Sequence, residues 1–166
     1  MKNLMLFSFL CLISIITLFS GCGKVVIDAT SPTSTANLPS SYSGNYIEVS
    51  VPVPSDARRS GATIDEVTFY YTAVNEGGTA TTAKVYVAPA APPITDQGQL
   101  TQIADLSLNA NETVEGSSTD PILSECIKNN VFTVRFERTG ASSNIKLTCY
   151  VKVKVSIDFI AYYTGQ

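Results

Sequence analysis

Cysteine is the residue type with the most reactive chemistry in this chain. The 166 residues include four cysteines (Cys11, Cys22, Cys126 and Cys149) and no histidine. Histidine is the commonest general base and metal ligand, and it is the usual partner that activates a nucleophilic serine or cysteine. Its absence argues against cysteine or serine catalysis. We therefore predict a protein that is not an enzyme and that uses no cofactor or catalytic metal.

Oxygen-bearing side chains are the second set of residues that could do chemistry. They cluster between positions 105 and 115, where they could supply ligands to Ca²⁺: Asp105, Asn109, Asn111, Glu112 and Glu115. A calcium loop also needs a glycine at its sharp turn and a fixed ligand spacing. Both are missing, so the sequence does not favour a metal site.

The first 23 residues have the pattern of a secretory signal. Lys2 supplies positive charge, and a largely apolar run of about 16 residues, at positions 4–19, precedes Ser20-Gly21-Cys22. A spanning helix needs roughly 20 apolar residues, and no basic stop-transfer cluster follows. We expect residues 1–21 to be removed as a signal peptide. A retained membrane helix is the alternative.

Leu18-Phe19-Ser20-Gly21-Cys22 resembles the lipobox of bacterial lipoproteins, with Phe19 at a position where leucine is usual. The resemblance implies that Cys22 becomes the first residue of the mature chain and carries acyl chains on its sulfur. Two chains suffice for stable anchoring in a lipid bilayer. In that family the residue after the cysteine influences sorting, and Gly23 is not the aspartate associated with inner-membrane retention, which implies the outer membrane if the source is Gram-negative. An ordinary signal with an unrelated cysteine is the alternative.

Cys126 and Cys149 remain in the mature chain after Cys11 is lost and Cys22 is acylated. An even pair of cysteines in an exported protein is a disulfide candidate, because that compartment is oxidising. We expect a disulfide between Cys126 and Cys149. Two packed thiols in the core are the alternative.

Composition limits the partners. Removal of Lys2 leaves 10 basic against 14 acidic residues, a net charge of about −4. Nucleic-acid binding needs clustered basic residues, so we exclude it. The outward tyrosines Tyr70, Tyr86 and Tyr150 are a candidate binding surface for an envelope protein or a glycan, although tyrosine is common in strands for structural reasons alone.

The mature chain divides into two parts. Residues 22–44 comprise the acylated N-terminus and a segment rich in Ser, Thr and Pro, a composition typical of a flexible tether. A first strand at 25–27 is the alternative. From position 45 to 166 the apolar residues alternate with polar ones, as in half-buried strands. We therefore predict one domain of about 120 residues after the tether.

Two hairpins are the pairings that the sequence suggests. If strands 64–74 and 82–88 pair across the turn at 75–78, Tyr70 can lie opposite Tyr86. If strands 131–138 and 145 onward pair, Val134 lies opposite Cys149 and Glu137 opposite Lys146. The last strand is unusually long, so we expect a bend or bulge near Ser156 as it passes between sheets.

About seven strands and one short helix after Asp120-Pro121 predict an antiparallel β-sandwich, immunoglobulin-like or related. With the lipobox, this favours a membrane-anchored envelope lipoprotein with a non-catalytic binding or structural role. A surface adhesin or fibre subunit is the alternative, and it would present an open sheet edge. An envelope hydrolase that works without histidine is a third reading, and it would need a deep pocket of convergent polar groups.

Overall fold

The computed structural model describes residues 23–158. This part contains nine β-strands and one α-helix: β1 Lys24–Thr30, β2 Ser34–Leu38, β3 Tyr46–Pro52, β4 Ala62–Asn75, β5 Thr81–Ala88, β6 Thr101–Leu108, β7 Thr113–Ser118, α1 Ile122–Cys126, β8 Val131–Arg138 and β9 Ile145–Asp158. All strand pairs are antiparallel. The predicted signal peptide, Cys22 and residues 159–166 lie outside the described residues.

Two sheets form the sandwich, which confirms the predicted fold class. One has five strands in the order β1-β9-β4-β7, with β2 also pairing with β9, and the other has four in the order β3-β8-β5-β6. The sheets meet across a core in which the ring centroids of Phe69 on β4 and Phe132 on β8 lie 6.5 Å apart. None of the helices in residues 23–158 is long and apolar enough to cross a membrane.

Strand β9 is the centre of the five-stranded sheet. Its odd-numbered side chains from Ile145 to Ile157 are all buried, as the alternation predicts. One edge of β9 pairs with β4 along its whole length, and the other pairs with β1 and β2 in succession. The strand stays in one sheet without a bulge of its own. The register shift lies instead in β4, between Ile64 and Glu66.

The predicted tether is wrong for residues 24–38. Lys24–Thr30 pairs with β9 from Asp158 to Lys152, and Ser34–Leu38 pairs with it from Cys149 to Ile145. The alternative of a first strand at 25–27 is confirmed within β1. Ala36 and Leu38 are buried in the core, Ile27 packs against it, and β9 offers both segments a row of backbone donors and acceptors. Backbone pairing needs few apolar side chains, so composition alone misjudges such a segment.

Both predicted hairpins are also wrong. Strand β4 pairs with β7 and β9, and β5 pairs with β6 and β8, so Tyr70 is not opposite Tyr86. Strands β8 and β9 lie in different sheets, and Glu137 is in register with Tyr46 and Lys84 rather than with Lys146. In both cases the chain passes from one sheet to the other between the two successive strands. The alternation of inward and outward side chains is the same whether a strand pairs with the next strand along the chain or with one in the other sheet, so it could not reveal this.

The proline-rich connection at 89–100 covers part of the outer face of the four-stranded sheet. Ile94 in this connection is buried, and its backbone N–H donates to the Glu48 carboxylate at 2.9 Å. Arg135 on β8 donates to the same carboxylate through Nε and Nη2 at 2.8 and 2.6 Å. The two side chains are 3% and 8% exposed, so this ion pair is part of the interior.

Candidate functional site

The outer face of the five-stranded sheet carries polar side chains in rows that run across the strands. In one row Lys154 of β9 lies between Asp28 of β1 and Glu66 of β4. In the next row Lys152 lies between Thr30 and Thr68. Rows are about 7 Å apart along the strands, because side chains on one face recur every second residue.

Two tyrosines form the row that follows. Tyr150 of β9 is in register with Tyr70 of β4, and their rings stack at a centroid distance of 5.2 Å and an angle of 12°. The Lys152 ammonium lies 5.2 Å from the centre of the Tyr70 ring. Tyr70 therefore contacts both an aromatic ring and a cation, and both contacts favour its position.

These rows border a depression of about 330 Å³ in the sheet surface. Its walls come from β1, β4 and β9: Asp28, Thr30, Glu66, Thr68, Tyr70, Lys152, Val153 and Lys154. Tyr70 lines the depression, whereas Tyr150 supports Tyr70 from the side. A volume of this size is at the lower end of ordinary ligand sites.

Charge is balanced in the depression, since Asp28 and Glu66 oppose Lys152 and Lys154. The ion pairs within 4.0 Å in residues 23–158 include Arg59–Asp56, Lys128–Glu125 and Arg135–Glu48, and none of these involves the four charged groups of the depression. The four charged groups of the depression are thus in neighbouring register positions without closed ion pairs. Their donor and acceptor capacity is directed to solvent, where a ligand can use it.

The three predicted tyrosines do not form one surface. Tyr70 and Tyr150 meet on the five-stranded sheet, but Tyr86 lies on β5 of the other sheet, in register with Gln102 and Arg135. Alternation correctly placed all three on outward faces. It could not assign them to the same sheet, which depends on strand pairing.

The predicted disulfide is absent, and Cys126 and Cys149 are buried free thiols. Cys126 lies on the apolar side of α1, and Cys149 points inward from β9. Burial raises the pKa of each thiol to about 12, with Glu125 and Asp120 contributing at Cys126. Thiols in this state are neutral and unreactive, which matches the alternative of two packed thiols.

Asn75 is an organising residue that the sequence analysis missed. Its buried side chain donates to the carbonyls of Thr79 and Asn109 at 2.9 Å each, and accepts from the Ser143 hydroxyl at 2.7 Å. It thereby joins three loops at one end of the sandwich. In the sequence this residue was visible only as a turn-forming asparagine before Glu76-Gly77-Gly78. A second depression, of about 340 Å³, lies beside these loops.

The oxygen-bearing residues at 105–115 do not converge. The Glu112 carboxylate accepts from the Asn109 backbone N–H at 2.5 Å, and Asn111 has a positive φ of 56°. Both features belong to the turn between β6 and β7. Within the described chain, no three His, Cys, Asp or Glu side chains are grouped so that they could hold a metal ion.

Comparison with known proteins gives distant structural similarity only. No protein-family model matches the chain, and no curated protein matches it significantly. The K2 adhesin domain of Lys-gingipain is 11% identical, with a TM-score of 0.38 over 76% of this chain and 99% of that domain. The K3 adhesin domain from Porphyromonas gingivalis is 11% identical, with a TM-score of 0.37 over 76% of this chain and 71% of the other.

A family 11 carbohydrate-binding module from Clostridium thermocellum, solved with a mixed-linked tetrasaccharide, is 12% identical. Its TM-score is 0.31, over 77% of this chain and 87% of the module. Similarity at this level assigns the chain neither to a family nor to a ligand.

Proposed function

We propose that this chain is a lipid-anchored, non-catalytic protein of the bacterial outer membrane that binds another envelope component through the outer face of its five-stranded sheet. The observation that carries the binding role is the depression walled by Tyr70, with two carboxylates and two ammonium groups that form no ion pair with one another. The lipobox-like residues around Cys22 support the anchor.

The anchor and the depression are close along the chain. Only Gly23 separates Cys22 from the start of β1 at Lys24. Asp28, four residues further along the same strand, lines the depression, and at about 3.3 Å per residue it is roughly 13 Å from Lys24. An acylated Cys22 would hold this end of the sandwich next to the bilayer, so a ligand would be met close to the membrane surface.

Metabolic labelling tests the anchor. Cells that express the full chain are given radiolabelled palmitate, and the label is expected in the wild type and in Cys126→Ser but not in Cys22→Ser. Cys126→Ser is the control for loss of a thiol that is not the anchor. Absence of label from the wild type, or unaltered membrane fractionation of Cys22→Ser, would refute the anchor.

Site-specific photocrosslinking tests the binding face. A photoreactive amino acid at Thr68, inside the depression, is compared on intact cells with the same group at Gln102, on the outer face of the four-stranded sheet. A discrete adduct at Thr68 alone is the expected result. Equal adducts at both positions, or none at Thr68, would contradict a binding role for this face.

A fibre subunit is a second candidate, favoured by the edge of β7, which pairs with β4 alone among the strands of residues 23–158. The other edge strands carry a proline or a bulge: Pro32 follows β1, Pro39 follows β2, Pro52 ends β3, and a bulge lies at the pairing of β6 with β5. Such features protect a sheet edge from pairing with another chain. Strand β7 pairs regularly with β4 from Thr113 to Ser118, and it has neither a proline, a lysine nor a bulge.

Oligomerisation of the full chain in mild detergent tests this second candidate. A fibre subunit should form a ladder of oligomers by analytical ultracentrifugation, and Ser117→Lys on β7 should shift it toward the monomer. Ser107→Lys on the bulged edge strand β6 is the matched control. A wild-type protein that stays monomeric at high concentration would rule out self-pairing through β7.

A further inference from the structure

We infer that the depression on the five-stranded sheet binds a neutral, polyhydroxylated ligand: a short segment of an uncharged polysaccharide. This inference rests on the proposed binding function of the same face and names its ligand class.

The hydrogen-bonding groups match sugar hydroxyls. Carboxylates only accept, ammonium groups only donate, and threonine and tyrosine hydroxyls do both. The depression brings these three kinds together within adjacent rows, with acceptors at Asp28 and Glu66, donors at Lys152 and Lys154, and a hydroxyl at Tyr70. A sugar hydroxyl both donates and accepts, so neighbouring hydroxyls of one ring can satisfy a carboxylate and an ammonium group together. Hydrogen bonds to charged groups are the stronger kind.

The charge balance argues against a charged polymer. Two carboxylates and two ammonium groups give the lining a formal charge of zero. An acidic polysaccharide or a phosphate-rich lipid headgroup would meet Asp28 and Glu66, and a cationic peptide would meet Lys152 and Lys154. Like charges brought together at a binding surface cost affinity, so an uncharged ligand fits best.

The scarcity of apolar surface argues against a protein partner. A standard protein interface covers about 800 Å² on each side and has an apolar centre. The large hydrophobic side chains that are exposed in residues 23–158 are Val26, Tyr42 and Tyr46, and only Val26 is on the five-stranded sheet. The rows that line the depression consist of Thr, Lys, Asp, Glu and the tyrosine pair, and Val26 lies one row beyond Asp28.

The tyrosine pair supplies a rigid wall with a hydroxyl. One face of the Tyr70 ring is stacked on Tyr150, and Lys152 lies over the ring as well. Tyr70 lines the depression, and its hydroxyl can both donate a hydrogen bond to a ligand and accept one from it. Tyr70 is therefore a direct contact residue, and Tyr150 is a positioning residue that acts through it.

Affinity electrophoresis of the full acylated chain in mild detergent tests the ligand class. Native gels contain a neutral polysaccharide (mannan, dextran, galactan or mixed-linkage β-glucan) or an acidic one (polygalacturonate or alginate). The wild type should be retarded by at least one neutral polysaccharide and by neither acidic one. Glu66→Gln with Lys154→Gln should weaken that affinity at least tenfold, and Tyr70→Phe, which keeps the ring stack, should weaken it severalfold.

The matched control is Asp105→Asn with Lys84→Gln. This acid-base pair is also in cross-strand register, but it lies on the other sheet. It should leave the retardation unchanged, and circular dichroism checks that every variant is folded. Retardation by acidic gels only, or by no gel, overturns the neutral-glycan assignment, as does a Glu66 and Lys154 variant that binds like the wild type. A specific adduct at Thr68 in the crosslinking experiment would then leave the binding role of this face intact. Failure of both experiments would refute both the binding role and the ligand class.

Discussion

The buried ion pair between Arg135 and Glu48 allows a quantitative test of how the connection at 89–100 is held on the outer face of the four-stranded sheet. Arg135 donates to Glu48 at 2.8 and 2.6 Å, donates to the Ile94 carbonyl at 3.3 Å, and has its guanidinium carbon 4.2 Å from the centre of the Tyr46 ring. The Gln97 side chain accepts a further hydrogen bond. The pair thus fixes the connection at 89–100 to β3 and β8.

Replacement of Arg135 by Met leaves the Glu48 carboxylate buried with the Ile94 N–H as its donor. Removal of one partner from a buried ion pair costs about 3–5 kcal/mol. At about 3 °C per kcal/mol for a domain of this size, Arg135→Met should lower Tm by roughly 10–15 °C. Glu48→Leu should cost a similar amount, because it leaves the guanidinium without its counter-charge.

The double variant should be far more stable than the sum of the two single variants. With both charges replaced by apolar side chains, the main remaining loss is the acceptor of the Ile94 N–H, which costs about 1–3 kcal/mol. The coupling between the two positions should therefore be several kcal/mol. Urea unfolding followed by circular dichroism measures all four proteins of the cycle.

A control comes from an exposed pair of the same chemistry. Lys128 and Glu125 are 62% and 54% exposed, so Lys128→Met should change stability by less than about 1 kcal/mol. A destabilisation by Arg135→Met no larger than that of this control, or additive effects of the two buried substitutions, would refute a stabilising buried ion pair.

Four further predictions concern the loops and the core. Asn75→Ala should lower the free energy of unfolding by about 3 kcal/mol, because buried loop carbonyls lose their donor; a urea titration measures this. Gly140→Ala should destabilise by about 1–3 kcal/mol, since its Cβ would lie 2.5 Å from the Thr82 backbone nitrogen, whereas Gly78→Ala, with nothing within 4 Å, is the neutral control. Mass spectrometry of the non-reduced protein should find two free thiols, and a joined pair would contradict the structure. The folded pKa of Cys149, about 12, lies above its ordinary value of 9.0. The stabilisation that comes from keeping this thiol protonated in the folded state should thus be complete below pH 9 and lost as pH rises toward 12. Cys149→Ala should therefore lower the free energy of unfolding less at pH 10 than at pH 7.

Alternation in the sequence correctly identified the buried side of most strands. Phe132, Val134 and Phe136 on β8 are fully buried, as are Ala83 and Val85 on β5. These assignments succeed because successive side chains of any strand point to opposite faces. The rule is local, so it holds whichever strand lies alongside.

The candidate site could be predicted only in part. Tyr70 and Tyr150 were assigned to outward faces, but their pairing follows from β4 lying next to β9, more than 70 residues away along the chain. Asp28 and Thr30 were placed in a tether, although they line the depression. The apolar run at 25–27 indicated a strand only as the alternative, and the polar residues around it do not show that this strand pairs with the edge of β9.

The sequence by itself determined the two-sheet class of the fold, the inward and outward side of its main strands, and the lack of histidine chemistry. Tertiary structure alone decided which strands pair, that both thiols stay free, and that acids, lysines and a tyrosine from three strands meet in one depression. The physical reason is that side-chain direction is set by each residue's own backbone. Strand partners are joined instead by backbone hydrogen bonds, which are the same for almost every residue type and therefore leave little trace in the sequence.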